Sequence, residues 1–138
     1  MLTNQKYVSK TSISLMFLGL IPFISAIYYL QTYDFVKGLS IFVHYSAIIL
    51  SFIGAINWGN NSIQKSPKLF YLSVTPSVIA FSAFFFDFPD VLYVLALGYL
   101  IAWIIDFSLM IKKREYYGYL GMRSIITASV IYLHIYLM

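Results

Sequence analysis

Two runs of this chain carry no charged side chain at all: Leu39 to Gln64 and Leu69 to Phe86. A helix of about 20 apolar residues crosses the hydrocarbon core of a bilayer, and both runs are of that order. Of the 138 residues, 61% are apolar and only 10% are charged. A soluble domain carries about 25% charged residues, so a water-facing surface cannot be built from this sequence. The expected fold is all-α, an integral membrane bundle in a single domain over residues 1–138.

Local breaks divide the chain into five spans, near 12–31, 39–59, 69–87, 91–111 and 117–138. Gly38 precedes the second span, "GNNSIQKSPK" separates the second from the third, "DFPD" follows the third, and "KKREYYG" follows the fourth. Short connections make neighbouring helices antiparallel. Lys6 and Lys10 ahead of an apolar run resemble a signal peptide. The run from Ser12 to Leu30 is longer than a typical h-region, however, and no small-x-small site follows it. It is therefore read as the first span.

Loop charge sets the expected direction. Lys6, Lys10, Lys65, Lys68, Lys112, Lys113 and Arg114 fall in the N-terminal tail and the second and fourth loops, whereas only Lys37 falls in the first and third. With five spans these groups lie on opposite sides, and the positive-inside rule places the N-terminus in and the C-terminus out. Aromatics at the span ends (Tyr28, Tyr29, Tyr33, Trp58, Tyr71, Tyr116, Tyr117, Tyr136) match an interfacial belt. The basic balance is thus a feature of topology, and no nucleic-acid partner is implied.

Two charges remain inside the spans, Asp106 and Arg123. Each costs roughly 2.5–3.5 kcal/mol near the bilayer centre on insertion scales. At ~1.5 Å per residue both lie ~8–9 Å inside the cytoplasmic boundary, on adjacent helices, so an ion pair is the least costly arrangement. It reads as a structural clasp or as a proton- or ion-linked site; alternatively Arg123 snorkels to the headgroups. On the second span, Ser40, His44, Ala47, Ser51, Gly54 or Ala55, and Trp58 recur at three- and four-residue steps. Small side chains of this kind let helices approach closely, so the stripe reads as a packing seam. Its inner end, Asn57 and Trp58, reaches the level of Asp106 and Arg123. These four residues are the candidate intramembrane polar cluster.

Pro22 and Pro76 leave the carbonyls of Leu18 and Leu72 without their helical donors, which predicts kinks. Ser73, Thr75 and Ser77 are placed to repair the second. His44 and His134 lie at similar depth near the outer boundary, a spacing that could ligate a haem between helices, but no flanking pattern supports it. The chain has no cysteine, which removes disulfide, thiolate-metal and thiol chemistry. It has no Walker loop, dinucleotide fingerprint, HExxH, GxSxG or EF-hand loop, and its carboxylates are too scattered for a paired acid–base centre. The expectation is a non-enzyme without cofactor or metal.

"LGLIPF" (18–23), "YSAIILSFIGAINWG" (45–59), "SVTPS" (73–77) and "YYGYLGMRSIITASV" (116–130) together resemble the blocks of the DUF3429 family of small integral membrane proteins, the group that includes transmembrane protein 69. The block at 45–59 is the most specific. The family block usually has histidine before Trp-Gly where this chain has Asn57, which weakens any proton- or metal-binding role for that position. The resemblance implies a shared fold and an inner-membrane setting, with no activity to carry over.

The expected function is that of a non-catalytic inner-membrane protein, an accessory subunit or assembly factor working through a protein partner or a second copy within the bilayer, surrounded by lipid. The alternatives are a small proton- or ion-linked transporter using the polar cluster, and a binder of an apolar or tetrapyrrole ligand. Translocator-type proteins share the five spans and the aromatic content, but this chain lacks their tryptophan-proline signature. Without a transit-peptide pattern, and with residue usage of an AT-rich kind, a bacterial inner membrane is expected ahead of the mitochondrial one.

Overall fold

The computed structural model describes residues 10–57 and 66–138. Among these the order is α1 (Lys10–Leu18), α2 (Ile21–Thr32), α3 (Phe35–Ile56), α4 (Pro67–Ala83), α5 (Asp90–Met110), a 3-10 turn at Arg114–Tyr116, and α6 (Tyr117–Leu137), with no strand. Four segments are long and apolar enough to cross a bilayer: Ile13–Thr32, Phe35–Ile56, Asp90–Met110 and Tyr117–Leu137. The remaining predicted span, α4, has 17 residues. It is ~26 Å long, at the lower end of spanning lengths.

The predicted first span is two helices meeting at Gly19. Pro22 cannot donate to the carbonyl of Leu18, and it sits in the opening turn of α2, where a proline is tolerated. The carbonyl of Gly19 is satisfied from outside the segment, by the Tyr45 hydroxyl of α3 at 3.0 Å. The break is thus a repaired joint between packed helices.

The predicted start of the second span is corrected. α3 begins at Phe35, capped by Asp34, whose carboxylate accepts from the Lys37 amide at 3.0 Å. Gly38 lies inside the first turn and is not a breaker. It is a point of contact: a Cβ there would come within 2.6 Å of the Leu30 backbone nitrogen on α2. Short helices of a hairpin can approach this closely only where one side chain is missing.

α3 is the hub. It packs on α2, α4 and α5, while α6 packs on α5 and on α1. The core where these meet holds Phe23, Phe42, Leu50, Leu92, Leu95 and Tyr99, all nearly inaccessible. The outward faces are equally apolar: Ile24, Phe52, Phe81, Phe85, Ile104 and Tyr132 are all exposed. A folded protein in water rarely shows continuous apolar surface of this extent; in lipid it is the expected exterior.

Pro76 does not interrupt α4. The nearby hydroxyls bond elsewhere than the predicted Leu72 carbonyl. Ser73 donates to Phe70 at 2.6 Å, Thr75 to Tyr71 at 3.4 Å, and Ser77 reaches across to the Ser51 carbonyl of α3 at 3.4 Å.

Candidate functional site

Three core-facing stripes meet along the α3–α5–α6 seam. On α3 the inward positions are Phe42, Ser46, Leu50, Ile53 and, at its C-terminal end, Asn57; on α5 they include Leu95, Tyr99, Ala102 and Asp106; on α6 they are Leu120, Arg123, Thr127, Val130 and His134. Each stripe steps by three or four residues, the period of one helix face. The polar members fall into two layers separated by apolar packing.

The first layer is charged. Asp106 accepts from Arg123 Nε on one carboxylate oxygen at 3.0 Å and from the Asn57 amide on the other at 2.7 Å. Asp106 is 2% exposed, Asn57 3% and Arg123 7%. The structure therefore assembles three of the four predicted cluster residues. The fourth, Trp58, lies outside the described residues. Snorkelling by Arg123 is excluded by its burial and its ion pair. Asn57 ends α3 and ties that helix to α5.

This layer is incompletely satisfied. Asn57 Oδ1, Arg123 Nη2 and, one turn further along α6, Thr127 Oγ1 are buried without a hydrogen-bond partner among the described residues. Interior polar atoms are generally paired, so these three are exceptional among the described residues.

The second layer is neutral. The His134 Nδ1 lies 2.8 Å from the Val130 carbonyl. A carbonyl only accepts, so that nitrogen carries the proton and Nε2 is left to accept from the Ser46 hydroxyl at 2.8 Å. Tyr99 donates to the Ser46 carbonyl, also at 2.8 Å. Phe23, Phe42 and Tyr99 enclose the imidazole edge-on or tilted, with centroids 4.8–6.1 Å away. The haem arrangement does not form. His44 lies on another side of α3, exposed, against Phe84 just past the end of α4 at 5.2 Å, its Nδ1 on the Ser40 carbonyl. Among the described residues no group of three His, Asp or Glu side chains could hold a metal.

Sequence reasoning missed Ser46, Tyr99 and Thr127. The signal was the α6 spacing from Leu120 through Arg123, Thr127 and Val130 to His134, which places the arginine and the histidine on one face. It also missed a second α5–α6 tie, from the Trp103 indole to the Ser124 hydroxyl at 2.8 Å.

The predicted packing stripe is split. Gly54 and Ala47 are buried and Ser51 half-buried, whereas Ser40 and His44 are exposed. At Gly54 a Cβ would stand 2.6 Å from the Ser73 carbonyl and 3.4 Å from Pro76, so α3 and α4 touch there backbone to backbone. Toward His44 an open groove of about 500 Å³ lies between the two helices, with His44, Ala47, Ser51, Phe52, Ser77 and Phe81 among its walls.

A bundle with bilayer-length apolar helices, an apolar exterior and its polar groups turned inward is of the membrane-embedded class. Within that class the chain belongs to the DUF3429 family, described as "Protein of unknown function", which it matches over residues 8–138. Comparison with curated proteins and with solved structures gave no match.

Proposed function

We propose that the protein is a non-catalytic component of a larger assembly in a bacterial inner membrane, contacting its partner within the bilayer. In this reading α4 is a fifth crossing, the lysine-rich turns face the cytoplasm, and the C-terminus faces out. The observation that carries the partner role is the α3–α4 groove. Most of the exterior presents large apolar side chains, which lipid tails solvate well. The groove sets a floor of alanine and serine, with the His44 imidazole, between the larger Ile48, Phe52, Phe81 and Phe84 side chains. Small residues favour close helix approach, and polar side chains give a neighbouring helix something to bond in hydrocarbon. The His44 Nδ1–H is committed to the Ser40 carbonyl, which leaves its Nε2 as an acceptor for an incoming donor.

The absence of cysteine makes single-cysteine crosslinking clean. Ile48→Cys at the groove is expected to capture a partner in native membranes, in step with a high-mass band after mild extraction and native electrophoresis. Ile104→Cys, on an exposed face of α5, is the control. Monomer alone on the native gel, with equal crosslinking at both sites, would refute the reading. The threading is tested separately. In intact cells a membrane-impermeant thiol reagent should label Asp87→Cys and spare Lys112→Cys.

A second reading, a small proton- or ion-linked transporter, is favoured by the buried Asp106 carboxylate beside unsatisfied donor and acceptor atoms. It requires Asp106→Asn to abolish a proton leak in proteoliposomes that the native protein supports, with the fold preserved.

A further inference from the structure

Charge is divided between the two ends of the bundle. The Phe35 and Phe88 rings meet at 5.8 Å. That contact brings the start of α3 to the turn between α4 and α5, and places Asp34, Lys37, Asp87 and Asp90 at one end. At the other end Asn57 bonds Asp106 at 2.7 Å and Gly54 abuts Ser73, so the end of α3, the start of α4 and the end of α5 lie together. This end carries Lys68 and the three consecutive cations Lys112, Lys113 and Arg114, all exposed. In sequence the turn reads KKRE, three cations to one anion. Among the described side chains the one acid at this end, Asp106, is buried and already paired with Arg123. The exposed cations have no ion pair among the described side chains. The Lys113 ammonium stands over the Tyr116 ring, 5.8 Å from its centre, a cation–π contact that leaves its charge unneutralised.

Depth and charge together select what meets these cations. α5 has bilayer length, and the cations follow it directly, so they stand at the level of the lipid headgroups. The Phe107 carbonyl accepts from the Ile111 amide at 2.9 Å, which puts Phe107 one helical turn before Lys112. Phe107 and Ile104 are both exposed and offer apolar surface just below the charges. A dissolved anion would be held at such an open site by charge alone. A headgroup is already kept at that depth by its own tails. A zwitterionic headgroup brings its own cation and gains little, whereas an anionic one gains about 5-fold for each Lys or Arg near it. We propose that the turn at 112–114, with Lys68 at the same end, binds the headgroup of an anionic phospholipid. Its phosphate faces the cations and its tails run along Ile104 and Phe107. This holds for either direction of threading. It is also independent of the α3–α4 groove, which lies toward His44, away from these cations.

The test is site-resolved quenching in the full chain, which has no cysteine of its own. Ser108→Cys, exposed beside the turn, and Tyr93→Cys, exposed near the acidic end of α5, each carry a thiol-linked fluorophore. The labelled proteins are reconstituted into phosphatidylcholine vesicles, and brominated phosphatidylglycerol or brominated phosphatidylcholine is added. At low salt the glycerol lipid should quench at position 108 at about one-fifth the concentration that the choline lipid needs, and should have no advantage at position 93. Near 1 M sodium chloride, where the screening length is ~3 Å, the advantage should vanish. It should also vanish at low salt when Lys112→Gln, Lys113→Gln and Arg114→Gln are combined. Sodium phosphate should act no more strongly than sodium chloride of equal ionic strength. Equal quenching by the two lipids at position 108 overturns the proposal and leaves the cations to an acidic protein segment. The same preference at position 93, or one that survives the triple variant, overturns it too. A stronger effect of phosphate than of chloride reassigns the site to a free anion. If the triple variant does not accumulate, the salt series and position 93 decide.

Discussion

The two polar layers of the core are built on the same three helices yet differ in kind. In the neutral layer both ring nitrogens of His134 are engaged, and Ser46 is held through its hydroxyl and its carbonyl. It is a closed network, of the type that fixes helix register because each member has its partner. In the charged layer, each oxygen of Asp106 accepts one bond, from Asn57 and from Arg123, but those two retain unused polar atoms, as does Thr127. The difference separates two uses of buried polarity: one layer is complete without anything else, and the other has capacity left for something outside the chain.

The sharpest way to break this contrast is to remove the carboxylate. Asp106→Ala strands the Arg123 guanidinium in the core, and loss of one partner of a buried pair costs about 3–5 kcal/mol. The variant should be strongly depleted in membranes and should unfold early in detergent. Adding Arg123→Met should recover most of the loss, because it is the stranded charge that is destabilising. Failure of that rescue would mean the pair carries more than its own electrostatics. In the neutral layer the penalty should be smaller. His134→Phe keeps a ring in the aromatic cage and leaves the Ser46 hydroxyl without its acceptor. Interhelical hydrogen bonds in membranes average about 0.6 kcal/mol and reach about 1.7, so a loss of about 1 kcal/mol is expected in reversible unfolding in mixed micelles. A loss as large as that of Asp106→Ala would erase the distinction between the layers.

Much of this organisation was legible in the sequence, but not the face on which it lies. The helical, membrane-type fold followed from uncharged length, because hydrocarbon admits few alternatives. The Asp106–Arg123 pair followed from depth and adjacency, because an isolated charge there is costly. On α3 the eye is drawn to Ser40, His44 and Ser51, the last two of which line the groove against α4. The stripe that builds the core, Phe42, Ser46, Leu50, Ile53 and Asn57, reads as ordinary apolar periodicity interrupted by one serine and closed by an amide. Nothing local distinguishes Ser46 from Ser51; only the arrival of His134 from α6 does. Gly38 failed as a boundary marker for a related reason. A neighbouring helix fixed its role as a contact point against Leu30, whereas the break expected at Pro22 is present and is completed by Tyr45.

A smaller effect tests whether the spare atoms of the charged layer are idle. Thr127→Val replaces a buried hydroxyl lacking a partner among the described residues with a side chain of nearly the same shape. Removing an unsatisfied polar group is neutral or stabilising, so the variant should gain between zero and about 1 kcal/mol. A loss instead would show that the hydroxyl is bonded in the membrane, and would move Thr127 from the list of unused atoms to the working part of the site.

The smallest expected quantity is the coupling between the layers. Tyr99 and Asp106 are seven residues apart on α5, ~10 Å along the axis, with apolar Ala102 between them. Sites at that separation that share no partner usually add to within about 0.5 kcal/mol. The cycle formed by His134→Phe and Asp106→Asn should close within that limit. Asn in place of Asp keeps the side-chain shape, so the cycle reads transmission along the seam rather than collapse of the bundle. A coupling above 1 kcal/mol would mean that α5 and α6 shift as a unit when either layer is disturbed. The closed layer would then be one end of a two-position element whose other end is the charged site, and the contrast between a structural layer and a working one would no longer hold.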